Sequence, residues 1–246
     1  MSIIKQMTHK RLTASMVIAT LFSLSACSDN GNDSMDTPEP PPVPVPVPTQ
    51  DYRVTVTNLT ANQPMSPIAL IRHQADMTAW QTGAAASLPL ETLAESGDSA
   101  GFADMEGVDA LVKGQGILAP GMKESIELKL NPDEVASISV LTMLVNTNDA
   151  FAGLNSMSLA DLAVNATVTF NSIAYDAGTE ANSEAKGTIP GPADGGEGFN
   201  ATRDDVDRVH AHPGVISADD GLADSVLSAS HRFDNPVLTI SIERLR

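Results

Sequence analysis

The sequence predicts an all-β fold, an antiparallel β-sandwich with one or two short helices and long loops. Three observations lead there. Several segments alternate apolar and polar residues with a period of two, as half-buried strands do. One run, Ile138 to Val145, is apolar throughout and rich in β-formers, which suits a central strand covered on both faces. Between these segments lie stretches dense in Gly, Pro, Asn and Asp, the punctuation of turns.

Not all of the 246 residues belong to that sandwich. Residues 1–26 open with Lys5, Lys10 and Arg11, continue in an apolar run from Leu12 to Leu24, and end in small residues. That three-part layout is a secretory signal, too short for a good spanning helix. Leu24-Ser25-Ala26-Cys27 resembles the bacterial lipoprotein cleavage box, in which the Cys becomes the lipid-bearing first residue. Cys27 is the only cysteine, so its lipidation leaves the mature chain without a thiol, and Cys-based zinc and redox sites are excluded. Ser28 is not the Asp that resembles an inner-membrane retention signal, so the expected location is the outer membrane of the cell envelope.

Residues 27–50 form the linker. Its run Pro38-Glu39-Pro40-Pro41-Pro42-Val43-Pro44-Val45-Pro46-Val47-Pro48 favours extended polyproline II, with a reach of roughly 34 Å at about 3.1 Å per residue. It reads as a spacer that lifts a domain, residues 51–246, off a membrane.

Within that domain Tyr52 to Asn58 alternates as a half-buried strand, and Pro67 to His73 reads as a second, more fully apolar one. Trp80, the single tryptophan, is expected to plug the core. Leu88 to Ser96 is a helix with Leu90, Leu93 and Ala94 on one face and Gly97 as its stop; Glu91 and Glu95 are expected to face solvent. Asp104 to Val112 reads as a second short helix or an irregular segment. Ser125 to Leu130, Ile138 to Val145 and Ala166 to Phe170 are strands, and 182–205 is a long Gly-, Pro- and acid-rich loop. Val237 to Glu243 closes the chain with Leu238, Ile240 and Ile242 pointing inward.

The formal net charge is −17, and loss of the three basic residues in 1–26 takes it to −20. That surface argues against nucleic acid, which needs a basic footprint, and against anionic head groups except through cations. It accepts divalent cations and cationic partners.

The candidate site is Val145 to Phe151 read together with Tyr175 to Glu180. Both pieces follow strand-like runs and concentrate oxygen donors. Asp149, Asp176 and Glu180 are three carboxylates that a sandwich can bring to one rim, a donor set for a hard cation such as calcium. Asp176-Ala177-Gly178-Thr179 is equally an ordinary turn sequence. His210-x-His212 offers a second set: on a strand both rings share a face and, with Asp207, suit zinc or copper, whereas before Pro213 they also serve as turn caps. Neither a Gly-x-Ser-x-Gly elbow nor a phosphate-cradling Gly-Lys-Ser/Thr loop is present. The expected activity is therefore non-catalytic, with a metal-dependent hydrolase built on His210, His212 and nearby carboxylates as the alternative.

Several collinear pieces resemble the spondin domain in its bacterial form. They are Tyr52 to Thr60, Pro64-Met65-Ser66-Pro67, Leu144 to Phe151, Asp176 to Glu180, His212-Pro213-Gly214, Pro236-Val237 and Ile242-Glu243-Arg244-Leu245. The resemblance covers nearly all of 51–246. It implies a calcium-binding β-sandwich, and animal members are extracellular-matrix proteins. Carried over, the calcium ligands are Asp149, Asp176 and Glu180, with Glu180 standing where the animal pattern has Asp. The animal domain's disulfides have no counterpart here. The implied function is a cell-envelope lipoprotein for adhesion, binding a surface or matrix ligand, protein or glycan.

Overall fold

The structure, a computed structural model, describes residues 48–246. The segment expected to be a signal, Cys27 and all but the last residues of the Pro-rich linker lie outside the described residues. The described chain contains β1 (Gln50–Asn58), β2 (Ala69–His73), α1 (Leu88–Ser96), β3 (Val108–Lys113), β4 (Lys123–Leu130), β5 (Ser137–Met143), β6 (Ala150–Ser158), β7 (Thr167–Ser172), β8 (Tyr175–Asp176), β9 (His210–Ala211) and β10 (Leu238–Arg244). They build two antiparallel sheets, one ordered β4-β1-β10-β7 and the other β3-β2-β5-β6-β8-β9.

The smaller sheet has one wet face. In β1, Tyr52, Val54 and Val56 are buried while Arg53 and Thr55 point out. The outer residues form cross-strand pairs: Thr55 with Ser125, and Arg53 with Glu127 at 3.1 Å and Glu243 at 3.0 Å. Inward residues of β1, β4 and β10 meet Leu70, Ile138, Val140, Ala150 and Ala152 of the larger sheet in the main core. As expected, Leu238, Ile240 and Ile242 are fully buried.

The larger sheet is covered on both faces, which explains why all seven residues of β5 are buried. On its far side Ala69, Ile71, Leu141 and Phe151 pack against Leu90, Leu93 and Ala94 of α1 and against Trp80. Trp80 plugs this layer as expected, its ring 5.4 Å from Phe151 and 5.6 Å from Tyr175. The helix matches its expected bounds. Ser87 caps its start, and Gly97, at φ 75°, its end.

Three expectations are corrected. The segment read as a second helix or irregular stretch, Asp104 to Val112, instead gives a 3-10 turn at Ala100–Asp104 and then strand β3. Its apolar residues serve both faces of an edge: Val112 packs into the main core, Val108 and Leu111 toward α1. Glu91 and Glu95 do not face solvent; they are 3% and 1% exposed. The loop after β8 lies over them, with Arg203 on Glu91 and the Asn200 N–H on Glu95 Oε2 at 2.9 Å. Finally, β6 occupies a stretch not read as a strand. Its Gly153 permits the pairing, because a Cβ there would sit 2.0 Å from the Val140 carbonyl oxygen of β5.

Candidate functional site

The β5–β6 connection is a buried turn, not a surface loop: Val145 to Asp149 are all buried. Thr147 Oγ1 donates to the Leu144 carbonyl at 2.6 Å and accepts the Ala150 N–H at 3.1 Å, which closes the turn. Gln63 holds it from below, donating to the Asn146 carbonyl and accepting the Asn146 N–H, each at 3.2 Å. The side chains on the other side reach into the long loop after β8. Asn148 Nδ2 donates to Glu180 Oε1 at 3.0 Å and Thr188 Oγ1 at 3.0 Å. Asn146 Oδ1 accepts the Ala193 N–H at 3.0 Å.

Asp149 and Asp176 are brought together by strand pairing. Asp176 of β8 lies across from Ala150 of β6, and the Ala177 N–H donates to the Asp149 carbonyl at 3.2 Å. Both carboxylates are fully buried. Asp149 Oδ2 accepts the Thr179 N–H at 2.8 Å, its hydroxyl at 3.2 Å and the Glu180 N–H at 3.1 Å. Asp149 Oδ1 is buried and accepts no hydrogen bond. Burial first, and then the Asp176 carboxylate beside it, push the Asp149 carboxyl up to about 8.

Asp176 is fixed by its neighbours. Its Oδ1 accepts the Gly178 N–H at 2.8 Å, and its Oδ2 accepts Asn182 Nδ2 at 2.6 Å. Gly178 is required at this turn: φ is 71°, and a Cβ would meet the Arg208 carbonyl oxygen at 2.3 Å. Glu180 is half-buried and tied to Asn148, and burial above all pushes its carboxyl up to about 7.

Asp149 and Asp176 are therefore neighbours, and the Glu180 N–H joins Asp149, but the Glu180 carboxylate lies on Asn148 with Glu95, Asp204 and Glu197 as its charged neighbours; the three are not the tightest donor set. Among the described residues the group whose ligand atoms all lie within 4.8 Å of one another is Asp176, Asp205 and His210. Asp205 escaped the sequence reading because it lies in the Gly- and acid-rich loop, where nothing in the spacing distinguishes it from Asp204 or Asp207.

The two histidines separate in role. His210 pairs directly with Asp176 across β8 and β9, its Nδ1 3.7 Å from Asp176 Oδ1. His212 lies past the strand, with both nitrogens engaged: Nδ1 accepts the Gly214 N–H at 3.0 Å and Nε2 faces Asn182 Oδ1 at 3.1 Å. Burial lowers its pKa to about 4, so the ring is neutral. Asp207 is paired with Arg203. His210, His212 and Asp207 therefore do not converge as one metal site.

The donor set fits a hard cation. A buried carboxylate oxygen without a partner costs free energy that a cation at Asp149 Oδ1 removes, and the cation also relieves the repulsion from Asp176. Carboxylate-only donors at Asp149, Asp176 and Glu180 are the chemistry that calcium takes.

A search of curated proteins finds no match. The family model Spondin_N matches residues 55–188, more than half of the chain, and that span contains the β5–β6 turn, β8, Asp149, Asp176 and Glu180. On that match, the chain belongs to the spondin N-terminal domain family.

Proposed function

We propose that this chain is an exported, non-catalytic lipoprotein whose spondin-like extracellular domain binds calcium at the rim formed by Asp149, Asp176 and Glu180, and serves adhesion to a surface or matrix ligand, protein or glycan. The observation that carries the calcium reading is Asp149 Oδ1, buried without a partner beside a second buried carboxylate. Like charges in a buried site either protonate or take a cation. The ion would tie the β5–β6 turn to the loop after β8 and so fix the rim that faces a partner. Membership of the family supports the extracellular placement. The Leu24 to Cys27 box supports the anchor, and no helix among the described residues is long and apolar enough to cross a membrane.

Thermal melts test the calcium reading. Calcium that binds only the folded arrangement raises the melting temperature by mass action. Wild type should melt higher in calcium than in chelator, magnesium should do less, and Asp176→Asn should erase most of the gain. Equal melting temperatures for wild type in calcium and in chelator would refute the site.

A further inference from the structure

We propose that Asp176, Asp205 and His210 form a second cation site, with a nitrogen donor, that takes a borderline divalent metal such as zinc. It borders the calcium site and shares Asp176 with it, so it rests on that reading only through this one residue. Asp205 and His210 lie outside the span matched by the family model, so the family match assigns them nothing.

The geometry points to a metal more than to an ion pair. His210 Nδ1 is buried and has no hydrogen-bond partner. It sits 3.7 Å from Asp176 Oδ1, too far for a hydrogen bond. Ligand atoms about 2.0–2.2 Å from a tetrahedral zinc lie roughly 3.4 Å apart, so a small inward shift of both groups closes on a metal. Asp205 supplies the third atom, and all three lie within 4.8 Å of one another. Three protein ligands leave one position for water.

The oxygen that carries the calcium reading, the unpartnered Oδ1 of fully buried Asp149, adds negative charge beside Asp176 and is not a separate ligand of this site. An all-carboxylate cluster suits hard ions, whereas an imidazole nitrogen shifts preference toward zinc and its neighbours.

The supports around the three ligands are in place. Asp176 is oriented by the Gly178 N–H and by Asn182, and Asn182 in turn by His212. Such outer partners fix ligand direction. Asp205 is bracketed by the Asp204 N–H on the Thr179 carbonyl at 3.1 Å and the Asp207 N–H on the Gly178 carbonyl at 2.8 Å. Arg203, clamped on Glu91 and the Ala86 carbonyl, anchors the same loop to α1. His210 is fixed by its strand pairing with Asp176.

The test is zinc titration of the full chain by calorimetry with calcium present, and cobalt as a spectroscopic surrogate. Wild type should take one equivalent of zinc, and cobalt should give visible absorption bands of a low-coordinate nitrogen–oxygen site. His210→Ala and Asp205→Asn should each weaken zinc at least about tenfold, as even outer-shell losses do. Both should keep the calcium-dependent rise in melting temperature. Asp205 is only half-buried in a loop, so its variant reads the site even if the His210 variant misfolds. Glu180→Gln should weaken calcium and leave zinc unchanged. Absence of zinc binding, or zinc binding indifferent to both His210→Ala and Asp205→Asn, overturns the proposal while a calcium response survives. Zinc binding without any calcium response instead sinks the calcium reading and leaves this one standing.

Discussion

Asp149 and Thr179 are joined twice, by the Thr179 N–H at 2.8 Å and its hydroxyl at 3.2 Å, and both donors go to the same carboxylate oxygen, Oδ2. This leaves Oδ1 bare in the interior. The pairing locks the turn before β6 to the turn after β8, so anything that changes the charge of Asp149 is felt along the long loop.

The first prediction is a pH dependence in chelator. Asp149 is raised from an ordinary 3.8 to about 8, so the folded state keeps a proton that the unfolded chain releases. Its contribution is greatest at low pH and is lost as pH rises toward 8. His212 runs the other way: lowered from 6.5 to about 4, it favours the fold above 6.5 and withdraws that support as pH falls. Between pH 6.5 and 8 the Asp149 effect amounts to on the order of 2 kcal/mol, and Glu180, raised from 4.5 to about 7, adds to the fall in the lower part of that window. Denaturant midpoints of the chelated protein should fall across that window. Asp149→Asn should flatten the fall, and calcium should remove it in wild type. A chelated wild type with no slope there contradicts the burial argument.

The second prediction concerns the clasp on α1. Glu91 is 3% exposed, and Arg203 meets it through two nitrogens, at 3.1 and 2.6 Å. Arg203→Ala leaves a buried carboxylate without its partner and should cost about 3–5 kcal/mol. Arg203→Lys should recover only part, because an ammonium cannot reproduce the fork. Glu91→Gln with Arg203→Met should be less damaging than Arg203→Ala alone. Urea unfolding of wild type and the three variants decides it; a double variant at least as destabilised as Arg203→Ala would mean that the two side chains do not act as a pair.

The sandwich was legible where one face is wet and the other dry. In β1 and β10 that contrast writes itself as alternation, and α1 announces itself through Leu90, Leu93, Ala94 and Gly97. It was not legible at β6, whose Gly153 reads as a breaker until the close approach of Val140 is known. Nor could it show at β8 and β9, two residues each, which exist because the long loop returns to the sheet edge. The burial of Glu91 and Glu95 depends on that same return, from residues more than 100 positions away. At the site, Asp149 and Asp176 could be named because each follows a strand-like run. Asp205 and the split between His210 and His212 arise from tertiary placement that spacing does not encode.

The third prediction concerns the anchor. Leu24-Ser25-Ala26-Cys27 follows directly on the apolar run, which places the thiol where a lipid would be attached. Cys27→Ser should abolish incorporation of labelled fatty acid and move the protein out of the outer-membrane fraction. Undiminished labelling of the variant would remove the lipoprotein reading and leave the domain's chemistry untouched.

The last prediction joins fold to site through Gly178. Its φ of 71° is strained for any residue with a side chain, and an added methyl would meet the Arg208 backbone, with its carbonyl oxygen at 2.3 Å and its nitrogen at 2.8 Å. Neither atom belongs to a flexible side chain, so relief requires the loop to move. That movement pulls on the Asp207 N–H that donates to the Gly178 carbonyl and on the Gly178 N–H that orients Asp176. Gly178→Ala should therefore cost more than about 2 kcal/mol. It should also lower calcium affinity beyond what lost stability explains, since one ligand is misdirected. Gly195, also at positive φ but with nothing within 4 Å of an added Cβ, is the control. Gly195→Ala should show only the smaller backbone cost and an unchanged calcium response. Melts of the two variants with calcium and with chelator separate the cases: equal calcium shifts in both would mean that the turn at Gly178 does not aim Asp176.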